Sequence, residues 1–206
     1  MKTISVTRKT TESEMVLRLT PPPLAADYRT KINTPIIFLN HMIEHIAWRS
    51  GFNLETEVKL DKFYLTHVVC EDLGMALGRA VAEYISRHID EGVNSYGTGI
   101  GIIDEAKAQC AISFESRSYF DFTSAVEIPA EAEDMHAEDL SVFLDGFAQG
   151  ARATLHIDVD KGVNSHHIWE AVYRAFGIAL GEALKLNADK CGRTSGVAGK
   201  IDFIVE

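Results

Sequence analysis

Hydrophobic and polar positions alternate at the start of the chain. Every second residue is apolar at Ile4 and Val6 and again from Met15 to Leu19, with a polar stretch between the two runs. A period of two residues predicts β-strands, here a hairpin or two edge strands. Three prolines at positions 21–23 end this element, because proline cannot donate to a strand ladder.

The period then changes to that of a helix. Apolar residues and histidines recur at helical spacing after Thr34-Pro35 and stop at Ser50-Gly51, which predicts a first helix. Alternation over residues 54–60 predicts a strand, and residues 63–66 are a second, short strand candidate. An amphipathic helix is predicted from His67 to Ile89, and its glycines at 74 and 78 allow close packing.

The order strands, helix, strand, helix then occurs again. Its predicted elements are strands at 99–104, 108–115 and 119–126, a helix at 140–151, a strand at 154–159, and a helix from an N-cap at Ser165 to Leu186. The repetition predicts an α+β fold of two pseudo-repeated half-domains, each a small sheet packed on helices. We expect half-repeats at residues 1–92 and 93–188 and a C-terminal tail at 189–206.

A motif of histidine and glutamate occurs in both halves. On the last predicted helix, His166 and His167 precede Glu170 by four and three residues, so one face can carry imidazole and carboxylate towards a divalent metal. His67 and Glu71 have the same four-residue spacing, 99 residues earlier. One such motif is weak evidence, since histidine and glutamate on a helix are often only solvated neighbours, but two copies predict a metal site.

Charge and composition exclude several classes of function. The net charge is −10 and the basic residues are scattered, so a phosphate-tracking nucleic-acid surface is not expected. No apolar run is long enough for a membrane span and none has the form of a signal peptide, which predicts a cytoplasmic protein. Three cysteines without a Cys-x-x-Cys motif indicate reduced thiols. The acidic segment 127–139 is interpreted as a solvated connection and the start of a helix, not a site.

Seven short motifs occur in a fixed order: Arg8-x-Thr-x-Glu12-Ser, Phe38-Leu-Asn-His41-Met, His67-x-x-x-Glu71-Asp72, Asp104-Glu105-Ala, Ser116-Arg117, Leu155-His156-Ile and Asn164-x-His166-His167-x-x-Glu170-Ala. Together they resemble the imidazoleglycerol-phosphate dehydratase family, over about residues 4–186. The resemblance implies a duplicated fold like domain 2 of ribosomal protein S5, a 24-subunit homo-oligomer built from trimers, and paired Mn²⁺ ions between subunits.

The resemblance also implies roles for individual residues. It assigns metal ligation to a set of histidines and glutamates: His41, His67, Glu71, His156, His166, His167 and Glu170. Ligands of these types also suit Zn²⁺ or Fe²⁺. The implied reaction is dehydration of imidazole glycerol phosphate, or a related phosphorylated substrate, in histidine biosynthesis. In it the metals act as Lewis acids on the substrate ring. Catalytic candidates are Glu12, for proton transfer, and Asp104, Glu105 and Glu170, while Arg117 and Arg174 correspond to phosphate ligands.

The chain departs from the family at several of these positions. The second histidine of the first motif is replaced by Val68, which cannot bind a metal. An aspartate has become Asn40, a later histidine of that helix is Arg49, and an arginine of a glycine-flanked turn is Ser95. The lysine of the family's C-terminal phosphate clamp is also missing, so Arg193, Lys200 or Arg49 are the candidate replacements.

Spacing suggests how the lost histidine can be replaced. His45 lies one helical turn after His41, so the two rings can face the same metal. The sequence therefore gives His45 as an eighth candidate ligand.

Two other interpretations remain open at this point. A non-catalytic relative, in which the ligands only hold subunits of a shell together, agrees with Val68, Ser95 and the altered tail. The second interpretation is an unrelated α+β domain whose histidines match the motifs by coincidence. Intact Glu12, Asp104, Glu105 and Arg117 favour the enzyme, because a purely structural protein gains nothing evident from them.

Overall fold

The computed structural model of the chain describes residues 2–193, 195–197, 199 and 204. The strands in this part are β1 (Ile4–Lys9), β2 (Ser13–Thr20), β3 (Asn53–Leu60), β4 (Tyr96–Ile103), β5 (Ala106–Ser113), β6 (Tyr119–Ser124), β7 (Glu131–Ala132), β8 (Met135–His136) and β9 (Thr154–Lys161). The α-helices are α1 (Ile37–Ser50), α2 (Thr66–Arg87), α3 (Ala137–Ala151) and α4 (Ser165–Ala183).

The strands form two main sheets. β1, β2 and β3 make an antiparallel sheet in that order. The second sheet has the order β4-β5-β9-β6, in which only β6 runs parallel to its neighbour. A hairpin of β7 and β8 is inserted before α3. Hairpin, helix, strand and helix thus follow one another twice, and the predicted α+β fold is confirmed.

The helices pack against each other and join the two sheets. α2 lies on β1 and β2 and contacts α3, whereas α4 lies on β4 and β5 and contacts α1. Glycines permit the closest of these approaches. A Cβ on Gly74 would lie 2.1 Å from the carbonyl oxygen of Phe143 on α3, which explains the glycines predicted to pack closely on α2. α1 and α4 also approach closely, since a Cβ on Gly177 would lie 3.1 Å from the carbonyl oxygen of His45. The candidate site lies between these two helices, nearer the start of α4.

Three local predictions were wrong. Residues 63–65 are exposed and belong to no strand, and Thr66 is already the first residue of α2. The N-cap of α4 is Asn164, not Ser165, because the Asn164 side chain accepts a hydrogen bond from the His167 amide. α4 also ends at Ala183, where the amide of Ser95 binds the last carbonyl of the helix.

The described residues limit the comparison for two predictions, the phosphate ligand Lys200 and the expected lack of a membrane span. Lys200, a candidate phosphate ligand, lies outside the described residues. Within the described residues, no helix is both long and apolar enough to cross a bilayer.

The three cysteines differ in accessibility, and this leads to a chemical prediction. Cys70 and Cys110 are buried, and burial raises the pKa of both thiols far above the ordinary value, whereas Cys191 is exposed. Because the thiolate is the reactive form, iodoacetamide is expected to modify one cysteine per native chain, at position 191. Peptide mass spectrometry checks this, with a guanidinium-unfolded sample, expected to react at all three, as control. Labelling of Cys70 in the native protein would contradict the packing described here.

Candidate metal centre

Three imidazoles converge on one buried carboxylate between α1 and α4. His41 and His45 lie one turn apart on α1, and His166 and Glu170 lie one turn apart on α4, so each pair occupies one helix face. The Nε2 atoms of His166 and His41 are 3.2 and 3.5 Å from Oε2 of Glu170. Within the described part of the chain, His41, His166 and Glu170 are the one group of three metal-ligand side chains whose ligand atoms lie within 4.8 Å of one another.

His45 adjoins this group from the other side of the carboxylate. Its Nε2 is 3.1 Å from Oε1 of Glu170 and 3.3 Å from Nε2 of His41. Burial lowers the pKa of His45 to about 4, against the opposing effect of the Glu170 charge. The ring is therefore neutral at neutral pH and has a lone pair available for a metal.

Glu170 carries the negative charge of the group. Glu170 is only 4% exposed. Burial opposes its ionisation, but His45, Arg174 and His41 outweigh burial and lower the pKa of the Glu170 carboxyl. The Arg174 guanidinium donates to Oε1, which leaves Oε2 as the oxygen that faces His41 and His166. The site therefore holds a carboxylate at neutral pH.

A carboxylate lies beside Nδ1 of each of the five histidines that the motifs assign as ligands. The pairs are His166–Glu133 at 2.9 Å, His167–Glu105 at 2.8 Å, His156–Asp121 at 3.5 Å, His41–Glu44 at 3.6 Å and His67–Asp139 at 3.6 Å. The first two are at hydrogen-bond distance and the other three are looser contacts. Histidines that bind metals usually donate their second ring nitrogen to such a group, which fixes the tautomer and leaves Nε2 for the metal.

Glu105 is the most strongly held of these partners. It accepts hydrogen bonds from the amides of Asn164 and Val163 and from Nδ1 of His167. The Asn164 amide, followed by the His167 ring, lowers the pKa of the Glu105 carboxyl to about 2. An ionised Glu105 in turn raises the pKa of His167. The pair thus orients the His167 ring at the start of α4.

Replacing Glu105 with glutamine should lower the pKa of His167 towards its ordinary value of 6.5. The sign follows from the charge, because an adjacent carboxylate stabilises the protonated ring and an amide does not. NMR titration of the His167 ring in chelator-treated protein measures the change. Glu127→Gln, at an exposed acidic position, is the matched control and should leave His167 unaltered. An unchanged titration midpoint in the Glu105 variant would contradict the pairing.

Several of these acidic residues were missed by sequence reasoning. Segment 127–139 was expected to be only a solvated connection, yet it supplies Glu133 to His166. Asp134 accepts hydrogen bonds from the amides of Ile37 and Phe38, and so caps the start of α1. The one signal in the sequence was the local density of acidic residues, which does not tell a partner of a distant histidine from a solvated charge.

Other predicted ligands lie outside the group at Glu170. His67 and His156 are well exposed, with 60% and 46% of their side chains accessible. Glu71 lies one turn after His67 on α2, and no hydrogen bond or ion pair of its side chain occurs among the described residues. The structure thus brings together three of the eight candidate ligands, His41, His166 and Glu170, within one chain. His45 adjoins them through its contacts with Oε1 of Glu170 and Nε2 of His41.

The predicted phosphate ligands are also divided between two places. Arg117 and Arg193 line a cavity of about 550 Å³ together with Ser116 and Ser195. Arg174 instead binds Glu170 and the carbonyl oxygen of Ile102, so its guanidinium belongs to the histidine cluster.

Two catalytic candidates lie on turns. Glu12 is exposed in the β1–β2 turn, and no hydrogen bond or ion pair in the described part of the chain connects it to the cluster. Asp104 is exposed in the β4–β5 turn, 3.9 Å from Nε2 of His167.

The fold and the cluster together define a duplicated α+β protein with a histidine–carboxylate centre of the kind that holds a divalent metal. Comparisons with known proteins identify the family. The sequence model of imidazoleglycerol-phosphate dehydratase matches residues 34–180. The chain belongs to the imidazoleglycerol-phosphate dehydratase family, and the predicted relationship is confirmed.

Individual relatives cover nearly the whole chain. The enzyme of that name from Methylococcus capsulatus is 34% identical over 197 residues, which is 95% of this chain and 94% of the relative. The one from Burkholderia cenocepacia is 34% identical over 98% of this chain and the full length of the relative. The crystal structure of the dehydratase from Staphylococcus aureus matches with a TM-score of 0.76 and 27% identity, over 90% of this chain and all of that one. These relatives are named as dehydratases, which are hydro-lyases.

Proposed function

We propose that this chain catalyses the dehydration of imidazole glycerol phosphate in histidine biosynthesis, with a divalent metal held by His41, His166 and Glu170. The observation that carries the proposal is the convergence of these three side chains in a member of this family. The family's relatives are named for that reaction.

The residues present fit a divalent metal. Nε2 of His166 and Nε2 of His41 lie 3.2 and 3.5 Å from Oε2 of Glu170, and the three ligand atoms are all within 4.8 Å of one another. Two ligands on one ion, with bonds of about 2.0–2.2 Å, are separated by about 3 Å or slightly more. Imidazole and carboxylate suit Mn²⁺, the metal we propose, and also Zn²⁺ or Fe²⁺. When bound, such an ion supplies Lewis acidity to the substrate.

We further propose that His67, Glu71, His156 and His167 form a second metal site between subunits of a homo-oligomer. The exposure of His67 and His156 supports this, because side chains on the surface are accessible to a neighbouring chain. The outer face of β4 is apolar and exposed at Tyr96, Ile100 and Ile102, as expected of an interface. A 24-subunit assembly built from trimers is the arrangement we propose, in the cytoplasm.

The residues of the chain would divide the remaining tasks. Glu12 is the proposed proton-transfer group. Its hairpin is anchored to α2, since Ser13 and Arg8 both bind the buried carboxylate of Asp72, next to Glu71. Asp104 would act near the departing hydroxyl. Glu105 is already held by His167 and two amides, which favours a role in orienting that ring over proton transfer.

Phosphate binding is assigned to the cavity beside Ser116. The guanidinium groups of Arg117 and Arg193 line it together with four serine hydroxyls, among them those of Ser116 and Ser195, and such groups bind phosphate with charge-assisted hydrogen bonds. The carboxylate of Glu115 also lines the cavity. To bind phosphate, the Arg174 guanidinium would have to break its hydrogen bond to Glu170. Its contacts favour a role in holding the carboxylate.

The test is a dehydration assay on imidazole glycerol phosphate, with metal content measured on the same samples. Turnover that is lost on chelation and restored by Mn²⁺ is expected. Bound metal without turnover on this substrate would overturn the enzymatic proposal in favour of a non-catalytic shell protein. Turnover that is insensitive to complete metal removal would overturn the metal assignment.

A further inference from the structure

We propose that Asp72 is a positioning residue for Glu12. It fixes the β1–β2 turn against α2, so that the Glu12 carboxyl group is presented from a rigid support for proton transfer. The inference rests on the proposed role of Glu12 in the dehydration and goes beyond it, because it names the group that holds Glu12 in place. Asp72 is buried, so it acts through the turn and not on the substrate itself.

Two side chains of the hairpin converge on the buried Asp72 carboxylate. Ser13, the residue after Glu12, donates its hydroxyl to Oδ2, and the guanidinium of Arg8 on β1 lies 2.5 Å from Oδ1. Only 3% of the Asp72 side chain is exposed, and hydrogen bonds to a charged group are stronger in such surroundings than in water. Because Asp72 follows Glu71 on α2, these contacts join the neighbour of Glu12 to the neighbour of a proposed metal ligand.

Hydrogen bonds also hold the backbone of the turn. The hydroxyl oxygen of Thr10 accepts from the amides of Glu12 and Ser13, both at 3.1 Å. The amide of Thr10 donates to the carbonyl oxygen of Ser13, and the amide of Asp61, just after β3, donates to the carbonyl oxygen of Glu12. The amide and the carbonyl of Glu12 are therefore both bound, which fixes the position of its backbone.

The side chain of Glu12 differs from its backbone. It is exposed, and no hydrogen bond or ion pair of its carboxyl group occurs among the described residues. Proton transfer requires this combination, because the group must be free to exchange a proton and must also be placed accurately. A misplacement of about 1 Å in a catalytic group can cost about 100-fold in rate. The turn therefore has the form of a pre-organised support.

A purely structural role is the alternative, in which Asp72 only stabilises the packing of the first sheet on α2. The two roles differ in how their effects combine with loss of Glu12. If Asp72 acts through Glu12, loosening the turn costs no further activity once the Glu12 carboxyl group is gone. Damage to the fold or to metal binding would instead lower turnover in either background. A double-mutant cycle separates the two roles.

The cycle compares full-length wild type with Ser13→Ala, Glu12→Ala and the double variant, all loaded with Mn²⁺. Ser13→Ala removes the hydroxyl that binds Asp72 and keeps the Arg8 contact. We expect it to lower kcat about 10–100-fold with an unchanged KM and metal content, as for an interaction made in the transition state. Glu12→Ala should lower kcat by about 100- to 10,000-fold, and the double variant should equal Glu12→Ala. Ser5→Ala, at an exposed position of β1, is the matched control and should equal wild type.

Hydrogen–deuterium exchange gives a second readout that does not depend on turnover. In Ser13→Ala and in Asp72→Asn, the amides at positions 12 and 13 are expected to exchange faster than in wild type, because the turn opens more easily. Thermal unfolding shows whether each variant is folded, and Ser5→Ala should exchange as wild type does. Unchanged exchange in the folded Ser13→Ala protein would overturn the inference.

The remaining outcomes separate this inference from the function on which it rests. Wild-type kcat in Ser13→Ala, beside a slow Glu12→Ala protein, would overturn the inference and leave the dehydratase and the role of Glu12 intact. A double variant slower than Glu12→Ala by the full effect of Ser13→Ala would also overturn it, in favour of the structural role. Full turnover in Glu12→Ala would overturn the role of Glu12 together with the inference. Wild-type protein without turnover would overturn the proposed activity and the inference alike.

Discussion

Replacing Glu170 with glutamine is expected to weaken metal binding and to lower turnover of imidazole glycerol phosphate more than any other single change in the cluster. The carboxylate is buried, its two oxygens face different neighbours, and it supplies the charge that opposes three imidazoles and Arg174. Glutamine keeps the shape and removes the charge. Removing one partner of a buried ion pair costs about 3–5 kcal/mol, which corresponds to a loss of about 100- to 5,000-fold in affinity.

The size of this effect can be judged against two matched glutamates. Glu133→Gln removes the partner of His166 Nδ1, and we expect about a 10–100-fold loss of metal affinity, as for other outer-shell partners. Glu131 is exposed and lies in the same hairpin, so Glu131→Gln should have little effect. Metal content, chelator competition and initial rates at saturating Mn²⁺ measure all three. Full metal content and full turnover in the Glu170 variant would place the centre elsewhere.

Gly101→Ala should be the most damaging substitution for the fold. An added Cβ would lie 1.9 Å from the carbonyl oxygen of Ala171 and 2.5 Å from the amide nitrogen of Ala175. Both atoms are backbone atoms of α4, so no side chain can move aside and the helix itself must shift away from β4. Overpacking a close interior contact costs about 3 kcal/mol, and more when backbone must move.

Chemical denaturation of wild type and variant measures this loss. Thr98→Ala, at an exposed position on the same strand, is the control and should change the free energy of unfolding by less than about 1 kcal/mol. Because α4 also carries His166 and Glu170, any Gly101→Ala protein that folds should bind metal more weakly. A variant as stable as wild type would mean that β4 and α4 are further apart than described.

The periodicity of apolar residues was sufficient to predict most of the fold. Apolar alternation and helical spacing located the main strands and helices, because these elements bury one face and therefore repeat along the sequence. The prediction of a strand at residues 63–66 was wrong because three exposed residues before a helix have no neighbouring strand to pair with. The predicted cap at Ser165 was wrong because asparagine and serine are both good caps, and only the backbone geometry chooses Asn164.

The candidate site was predictable only where its residues share a helix. The pairs His41–His45 and His166–Glu170 are each four residues apart, so spacing alone placed each pair on one face. Val68, standing where the family has a histidine, drew attention to the spacing of His45. The contact of Glu133 with His166 depends on tertiary structure, and sequence spacing gave no indication of it. The contact of Arg174 with Glu170 is again a pair four residues apart on α4.

The cluster takes its ligands from the first helix of the chain and from the last. α1 and α4 are separated by more than a hundred residues, and between them the chain completes one sheet and builds all four strands of the other. An ion held by both would act as a cross-link that closes a very long loop, so the energy of metal binding would also be energy of folding. Chelation would then do more than empty a catalytic centre, since it would also release a tie that reinforces the packing of α4 on α1.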